Sequence, residues 1–431
     1  MTCEALSKDQ IRFIIDQLQY THTTIKNAVR IKVVTSEPIK HLYMVFDKPC
    51  RWTLAFPDGT QKQCGENDFL HEYIAFDEEL SEFYIELPPD SCIADVYGFT
   101  DGNLPSWVQI WERPCDRADL MVMPTHADDE YLWFGGALPY YAGELGYKVQ
   151  VVYLTDHYNA VHRKHELLSG LWAVGVRNYP VLTDKFKDVL ATKFSLENAE
   201  AYFGRDNVTE FQVEMLRRFA PRVIIAHDIN GEYGHGAHKL NAATLLDALK
   251  IYEDPTVYPE SAEKYGVRKV QKCYLHLWNE NRIVVQWSDL ILEHFNGKTA
   301  YEMAVKGFSY HKSQLGFNLH INEDWPYDCR IFGLAYTTVG YDTPDKNDMF
   351  EHVDMTDEKE DENPENPEEV KQTTQAVSET DKKTEELKLN KKIGITLFGR
   401  ELMRSDVLVV SIAAVLLLAA IITVICLRRR E

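Results

Sequence analysis

The sequence predicts an α/β protein: a Rossmann-like, doubly wound, mostly parallel sheet, preceded by a small all-β domain and followed by one C-terminal transmembrane helix. Three observations predict it. Before about Cys115, short apolar or alternating stretches are separated by turn-forming residues. From Asp119 onward, apolar strands alternate with segments of helical length. Near the end, Val407 to Leu427 runs for 21 residues without a charge, long enough to cross the hydrocarbon core of a bilayer.

The N-terminal stretches are IKVVT, HLYMVFD, WTLAF, FYIELPP, CIADVYGF and WVQIWERP, punctuated by PDGT and TDGN. They predict an antiparallel, sandwich-like β domain over residues 1–116. Five of the eight cysteines fall there, Cys3 near the start and Cys50, Cys64, Cys92 and Cys115 further on, and no C-x-x-C pair occurs. A zinc knuckle is therefore not indicated, while disulfides and buried thiols remain equal alternatives.

Residues 117–345 carry the α/β pattern. DLMVMPT reads as a strand followed by a helix to about Leu145, and KVQVVYLT as a second strand. HRKHELLSGLWAVG is an amphipathic helix, RVIIAH a later strand and HGAHKLNAATLLDALKIY a further helix. In such sheets ligands bind beyond the carboxyl ends of the strands.

Residues 346–406 are polar, with fourteen Asp/Glu against four Lys between Glu351 and Glu386, and predict a flexible stalk. The apolar segment 407–427 follows, then a basic tail, 428–431, with Arg428, Arg429 and Arg430. A net charge of −21 argues against a nucleic-acid partner, which needs clustered cations. The acidic stalk and arginine tail suit a body outside the cytoplasm. The N-terminal stretch has no signal-peptide-like run, which leaves two alternatives: a start further upstream, or a tail-anchored body facing the cytoplasm.

Two clusters carry chemistry. PTHADDEYLWFGG leaves the first α/β strand with an imidazole and adjacent carboxylates, the donor mixture that borderline metal ions take. AHDINGEYGHGAH leaves a later strand with His235 and His238 three residues apart at a helix start, on one face. Either cluster alone is weak evidence; both at carboxyl ends of parallel strands form a specific conjunction.

The stretch from Asp119 to about Val353 resembles the PIG-L/LmbE deacetylases, whose motifs typically read A-H-P-D-D-E and G-H-x-x-H. The similarity continues through GGALPYYAGELGYKVQVVYLTD, the R-x-x-E of Arg163 and Glu166, CYLHLWNEN and GKTAYEMAVKGFSYHKSQ. The resemblance implies a zinc-dependent hydrolase that removes the acetyl group from an N-acetylated amino sugar. It implies that His126, Asp129 and His238 bind Zn2+, that Asp128 is the general base, and that His235 stabilises the oxyanion and protonates the leaving amine. Competing readings are a membrane-anchored carbohydrate-binding protein with a degenerate deacetylase domain, and a zinc amidase acting on a non-sugar amide.

Three positions depart from the family pattern. Ala127 replaces a proline and is expected to loosen the turn. Gly236 and Ala237 stand where many members have Pro-Asp, and the lost carboxylate leaves Asp228 or Glu232 as substitutes to support His235. Arg163 is a candidate substrate contact, with an i,i+3 pair to Glu166 as the alternative. His311 faces the cleft or is a satisfied buried histidine. Asp156 and His157 lie on the cleft side with open roles, and Glu130 is the reserve base. The β domain is expected to meet a glycan or protein partner, or to cap the cleft.

Overall fold

The computed structural model describes residues 1–356 except Asn103 and Trp325, plus two short paired strands at Thr396–Leu397 and Arg400–Glu401. Met1–Glu358 is one compact unit and Lys359–Glu431 a second. Among the described residues no helix is long and apolar enough to cross a membrane, and Val407–Leu427 lies outside them. Most of the expected stalk lies outside them as well.

Helix α1 (Lys8–Phe13) is set by a reciprocal capping box between Ser7 and Gln10. Strands β1 (Thr23–Thr24), β2 (Val29–Phe46), β3 (Trp52–Ala55), β4 (Gln61–Cys64), β5 (His71–Leu87) and β6 (Cys92–Phe99) follow. The expected sandwich is instead one antiparallel sheet in the order β1-β6-β2-β5-β3-β4. Its long strands β2 and β5 slip register between Val34 and His41, and bulges of this kind bend strands. Ile31 and Val33 from one half of β2 share a core with Leu42 and Met44 from the other. One bent sheet thus lines its own core, a connectivity that strand periodicity does not encode. Cys50, Cys64, Cys92 and Cys115 are free thiols, so disulfides lend no support to an exported β domain.

The second sheet begins with β7 (Leu120–Met123). Helix α2 (Asp129–Leu132), β8 (Val149–Tyr153), α3 (His162–Ala173) and β9 (Val181–Leu182) follow. Next come α4 (Leu196–Phe203), α5 (Arg205–Phe219), β10 (Val223–Ala226), α6 (Gly236–Ile251), α7 (Pro259–Tyr265) and β11 (Lys272–His276). Strand β12 (Arg282–Val284), a separate small hairpin of β13 (Ile291–Leu292) and β14 (Lys298–Thr299), α8 (Ala300–Phe308) and β15 (Ile331–Thr337) complete the α/β body.

Five strands, in the order β9-β8-β7-β10-β11, run parallel, and β15 and β12 extend the edge antiparallel. Successive residues of β7 and β10 enter different cores. Leu120, Val122, Val223 and Ile225 join α2, α3 and α8 on one face; Met121, Met123, Ile224 and Ala226 join α4, α5 and α6 on the other. Period-two alternation with apolar residues on both faces is what a doubly wound sheet requires. Strand order reverses between β7 and β10, and their carboxyl ends frame the crevice where such folds bind ligands.

The β domain and the α/β part share one core. Phe69 stacks on Tyr179 with ring centroids 4.4 Å apart, and Leu70 and Trp111 pack into the same cluster as α3. A buried polar chain crosses the same junction, from Tyr43 Oη to His71 (2.8 Å), His71 to His165 (2.8 Å) and His165 to Asp47 (3.1 Å). The folded body also continues past residue 345: Met349 is fully buried, and the Arg222 guanidinium donates to Asp354 O. Residues 346–356 therefore belong to the body rather than to a stalk. A chain beginning at Arg117 would uncover His165, Tyr179 and the α3 face. Its expected outcome is a lowered or non-cooperative thermal transition; a midpoint equal to that of the full chain would contradict a shared core.

Candidate active site

Strand β7 delivers the chain into a turn whose backbone donors are all buried and all used. Thr125 N donates to His227 Nε2 (2.9 Å), His126 N to Asp129 Oδ2 (2.7 Å), Ala127 N to His157 Nε2 (3.0 Å) and Asp128 N to Glu130 Oε2 (2.8 Å). An unmade hydrogen bond at any of these sites would cost about 1–3 kcal/mol. Asp128 sits at φ 114°, a conformation that a non-glycine residue adopts only under surrounding constraint.

This turn and the start of α6 bring three donor atoms together. His126 Nδ1 lies 3.1 Å from His238 Nε2 and 3.2 Å from Asp129 Oδ2, and the last two are 3.4 Å apart. Four ligands held tetrahedrally at 2.0–2.1 Å from an ion stand about 3.3–3.4 Å apart. The three donors therefore fit one face of a tetrahedron, and two of them, His126 and Asp129, line the cavity.

The ligand orientation is enforced from behind. Glu232 Oε2 lies 2.8 Å from both His238 Nδ1 and His227 Nδ1, and Oε1 lies 2.8 Å from His276 Nδ1. Despite its burial, these imidazoles keep the Glu232 carboxyl well below the usual range. An ionised carboxylate only accepts, so His238 carries its proton on Nδ1 and turns Nε2 into the site. His227 is close but has both nitrogens engaged, one by Thr125 N–H and one by Glu232, which removes it as a ligand. Asp188 lies near His126 as a charge neighbour, with Oδ1 3.6 Å from Nε2, beyond hydrogen-bond reach.

Asp128 stands beside this triangle, 3.5 Å from the Arg163 guanidinium. Burial pushes its carboxyl up to about 7, with Arg163 opposing and Asp129 adding to the rise. Asp129 behaves oppositely. Burial would raise it, but His238 foremost among the surrounding imidazoles holds it well below the carboxylate range, and Trp133 Nε1 donates to its other oxygen (2.7 Å).

His235 stacks on His238 at 4.3 Å and meets the edge of His126 at 4.8 Å. Burial, with those two rings beside it, drops its pKa to about 2, so it is a neutral imidazole. Its Nδ1 has no hydrogen-bond partner. His126, Asp128, Asp129, Arg163, His235 and Asp188 share a cavity of about 540 Å3 whose apolar walls include Leu190, Phe317 and Leu319.

Several expectations change. Neither Asp228 nor Glu232 supports His235: Glu232 serves the three histidines behind it, and Asp228 accepts from Asn230. Arg163 does not pair with Glu166, which is taken by Ser313 and Tyr20; it faces Asp128 and donates to Ala127 O. His311 is a buried histidine outside the cavity lining, bonded through Nε2 to Glu130 at 2.9 Å while its Nδ1 has no hydrogen-bond partner. Glu130 in turn spends its other oxygen on Asp128 N, so it positions the turn and does not stand in reserve as a base. Asp156 pairs with Lys164, away from the cavity. Asp188 was not signalled at all, since it is one aspartate in the polar loop after β9 with no motif around it.

Residues 120–249 match the family model described as PIG-L, GlcNAc-PI de-N-acetylase. The chain carries a PIG-L domain.

Curated relatives include 1D-myo-inositol 2-acetamido-2-deoxy-alpha-D-glucopyranoside deacetylase 2 of Saccharopolyspora erythraea. It is 31% identical over 172 residues, 35% of this chain and 63% of that protein. A deacetylase 1 of the same description from Catenulispora acidiphila is 24% identical over 181 residues, covering 36% and 56%. The chain thus spans less than two thirds of the length of these relatives. Among solved structures, the N,N'-diacetylchitobiose deacetylase of Pyrococcus horikoshii aligns at 17% identity and a TM-score of 0.37, covering 49% of this chain and 76% of that one.

Within the PIG-L domain the sequence departures acquire causes. Ala127 does not loosen the turn, because its N–H, which a proline would lack, bonds His157. A Cβ at Gly236 would run into the Ser195 and Thr192 carbonyls, so the α4 approach in this chain needs glycine there. Ala237 is fully buried in the core under α6. Restoring the common residue with Ala127→Pro should lower stability by about 1–3 kcal/mol in denaturant unfolding, because it strands His157 Nε2. Equal or greater stability would contradict the role given to that N–H.

Proposed function

We propose that this chain hydrolyses the N-acetyl group of an N-acetylglucosamine-type sugar or glycoconjugate, with a zinc ion held by His126, Asp129 and His238. The observation that carries the reading is the triangle of donors at 3.1, 3.2 and 3.4 Å beside the buried Asp128 carboxylate, whose pKa burial raises to about 7. The two described relatives are deacetylases of an acetamido sugar, which supports the choice of an acetamide on a sugar over other amides.

Bound there, the cation would supply Lewis-acid chemistry, polarising the acyl oxygen and making hydroxide available near neutral pH. Asp128 accepts the proton of the attacking water and returns it to the departing amine, for which an elevated pKa suits it. Arg163 fixes the Asp128 carboxylate from 3.5 Å and borders the sugar. Neutral His235, on the cavity wall, donates a hydrogen bond to the oxygen on which charge develops. Water adds to the carbonyl carbon, the C–N bond breaks, and acetate and the free amine leave. We also propose that Val407–Leu427, whose length and lack of charge suit a bilayer, anchors the chain in a membrane.

The test is release of acetate from N-acetylglucosamine and its inositol glycoside. Asp128→Asn should lower turnover by about 10²-fold or more while keeping zinc at the wild-type level by elemental analysis, since the amide cannot take the proton. Near-normal turnover in that variant would contradict the assignment. His126→Ala and His238→Ala should each lose the metal, because two protein ligands hold zinc too weakly; full occupancy in both would remove the ligand set.

A further inference from the structure

A groove of about 810 Å3, larger than the catalytic cavity, lies between the β domain and the α/β body. Arg177, Lys298, Lys306 and Lys312 line it. Among the described residues none of these four is ion-paired with a carboxylate. The one carboxylate in its wall, Glu166, is consumed by Ser313 N (2.9 Å), Ser313 Oγ (2.6 Å) and Tyr20 Oη (3.2 Å). In a chain of net charge −21, four unpaired cations in one concave surface make a local positive potential that draws anions.

Flat aromatic surfaces alternate with these cations. Trp107 is 43% exposed and Tyr20 53% exposed, both from the β domain. Trp107 is braced by Tyr97 at 5.0 Å and Phe99 at 5.8 Å, so its ring is fixed before any ligand arrives. Across the groove Arg177 lies 3.9 Å over the Trp172 ring and Lys306 lies 4.9 Å over Tyr310. Rigid rings of this kind accept the C–H face of a pyranose, and the ammonium and guanidinium groups beside them accept carboxylate, sulfate or phosphate on the same sugars.

The groove abuts the catalytic cavity. Arg163 on α3 lines the cavity, and Glu166, Ser169 and Trp172 on later turns of the same helix line the groove. Lys312 lies on the groove side and Gln314 on the cavity side, with Ser313 tied to Glu166 between them.

We propose that the groove binds an anionic sugar chain, the part of the substrate that continues beyond the acetamido sugar in the cavity, and that the β domain is there to supply its outer wall. The placement of the reacting sugar rests on the proposed deacetylase reading; binding in the groove does not.

The test is calorimetric titration of the full-length chain with three probes: a heparin hexasaccharide, the neutral chitin hexamer and inositol monophosphate. The heparin hexasaccharide should bind at least about tenfold more tightly than the chitin hexamer and weaken with added salt. The double variant Lys306→Glu/Lys312→Glu should lose about tenfold or more toward heparin alone, and Trp107→Ala should weaken both hexasaccharides. Turnover of free N-acetylglucosamine, which reaches only the cavity, should be unchanged in these variants. Equal binding of the two hexasaccharides, or heparin binding that survives both variants, would overturn the proposal. Inositol monophosphate binding as tightly as the heparin hexasaccharide would overturn it too, in favour of an isolated anion site. If the wild-type chain does not hydrolyse N-acetylglucosamine yet binds heparin as described, the catalytic reading fails and the groove stands.

Discussion

Four consecutive backbone N–H groups, from Thr125 to Asp128, are buried and must find acceptors, and the rest of the site is arranged around satisfying them. Their acceptors are His227, Asp129, His157 and Glu130. Each acceptor is fixed by a further partner: Glu232 behind His227, Trp133 on Asp129, Asp188 on His157 and His311 on Glu130. The strained φ of Asp128 persists because both of its neighbours in the turn are held this way. Strand β7 carries the turn to the point where strand order reverses, and β10 brings α6 to meet it.

The same network assigns the histidines their parts. Six imidazoles crowd the crevice, His126, His157, His227, His235, His238 and His276, and carboxylates sort them. Glu232 turns His238 toward the donor triangle, locks His227 out of it and holds His276 beneath. His235 receives no carboxylate, stays neutral and faces the cavity. Charge is thus concentrated on Asp129, while burial leaves Asp128 close to neutrality, so two adjacent aspartates acquire opposite proton affinities.

Much of this was legible in the sequence, for identifiable reasons. Continuous apolar strands separated by helical segments specify a parallel sheet with both faces covered, and that rule places HADD and HGAH at neighbouring strand ends. The supporting residues were less legible. Asp188 arrives from a loop whose path depends on Phe186 packing against Phe203 of α4 and Phe211 of α5, and the task of Glu232 depends on which of six rings lies nearest. The N–H of Ala127 could not be valued without knowing that His157 lies above it. The β domain misled in one respect: alternation shows which side chains are buried, but not that β2 and β5 bend as one sheet over their own core.

The central claim is that His126, Asp129 and His238 form one metal-binding face. Anomalous diffraction from zinc-loaded crystals, recorded on both sides of the zinc absorption edge, tests it most directly. The account predicts one strong peak at about 2.0–2.2 Å from His126 Nδ1, Asp129 Oδ2 and His238 Nε2, with His227 and His235 not coordinating. A peak ligated by His235 or His227 in place of Asp129, or no peak in this crevice, would contradict it.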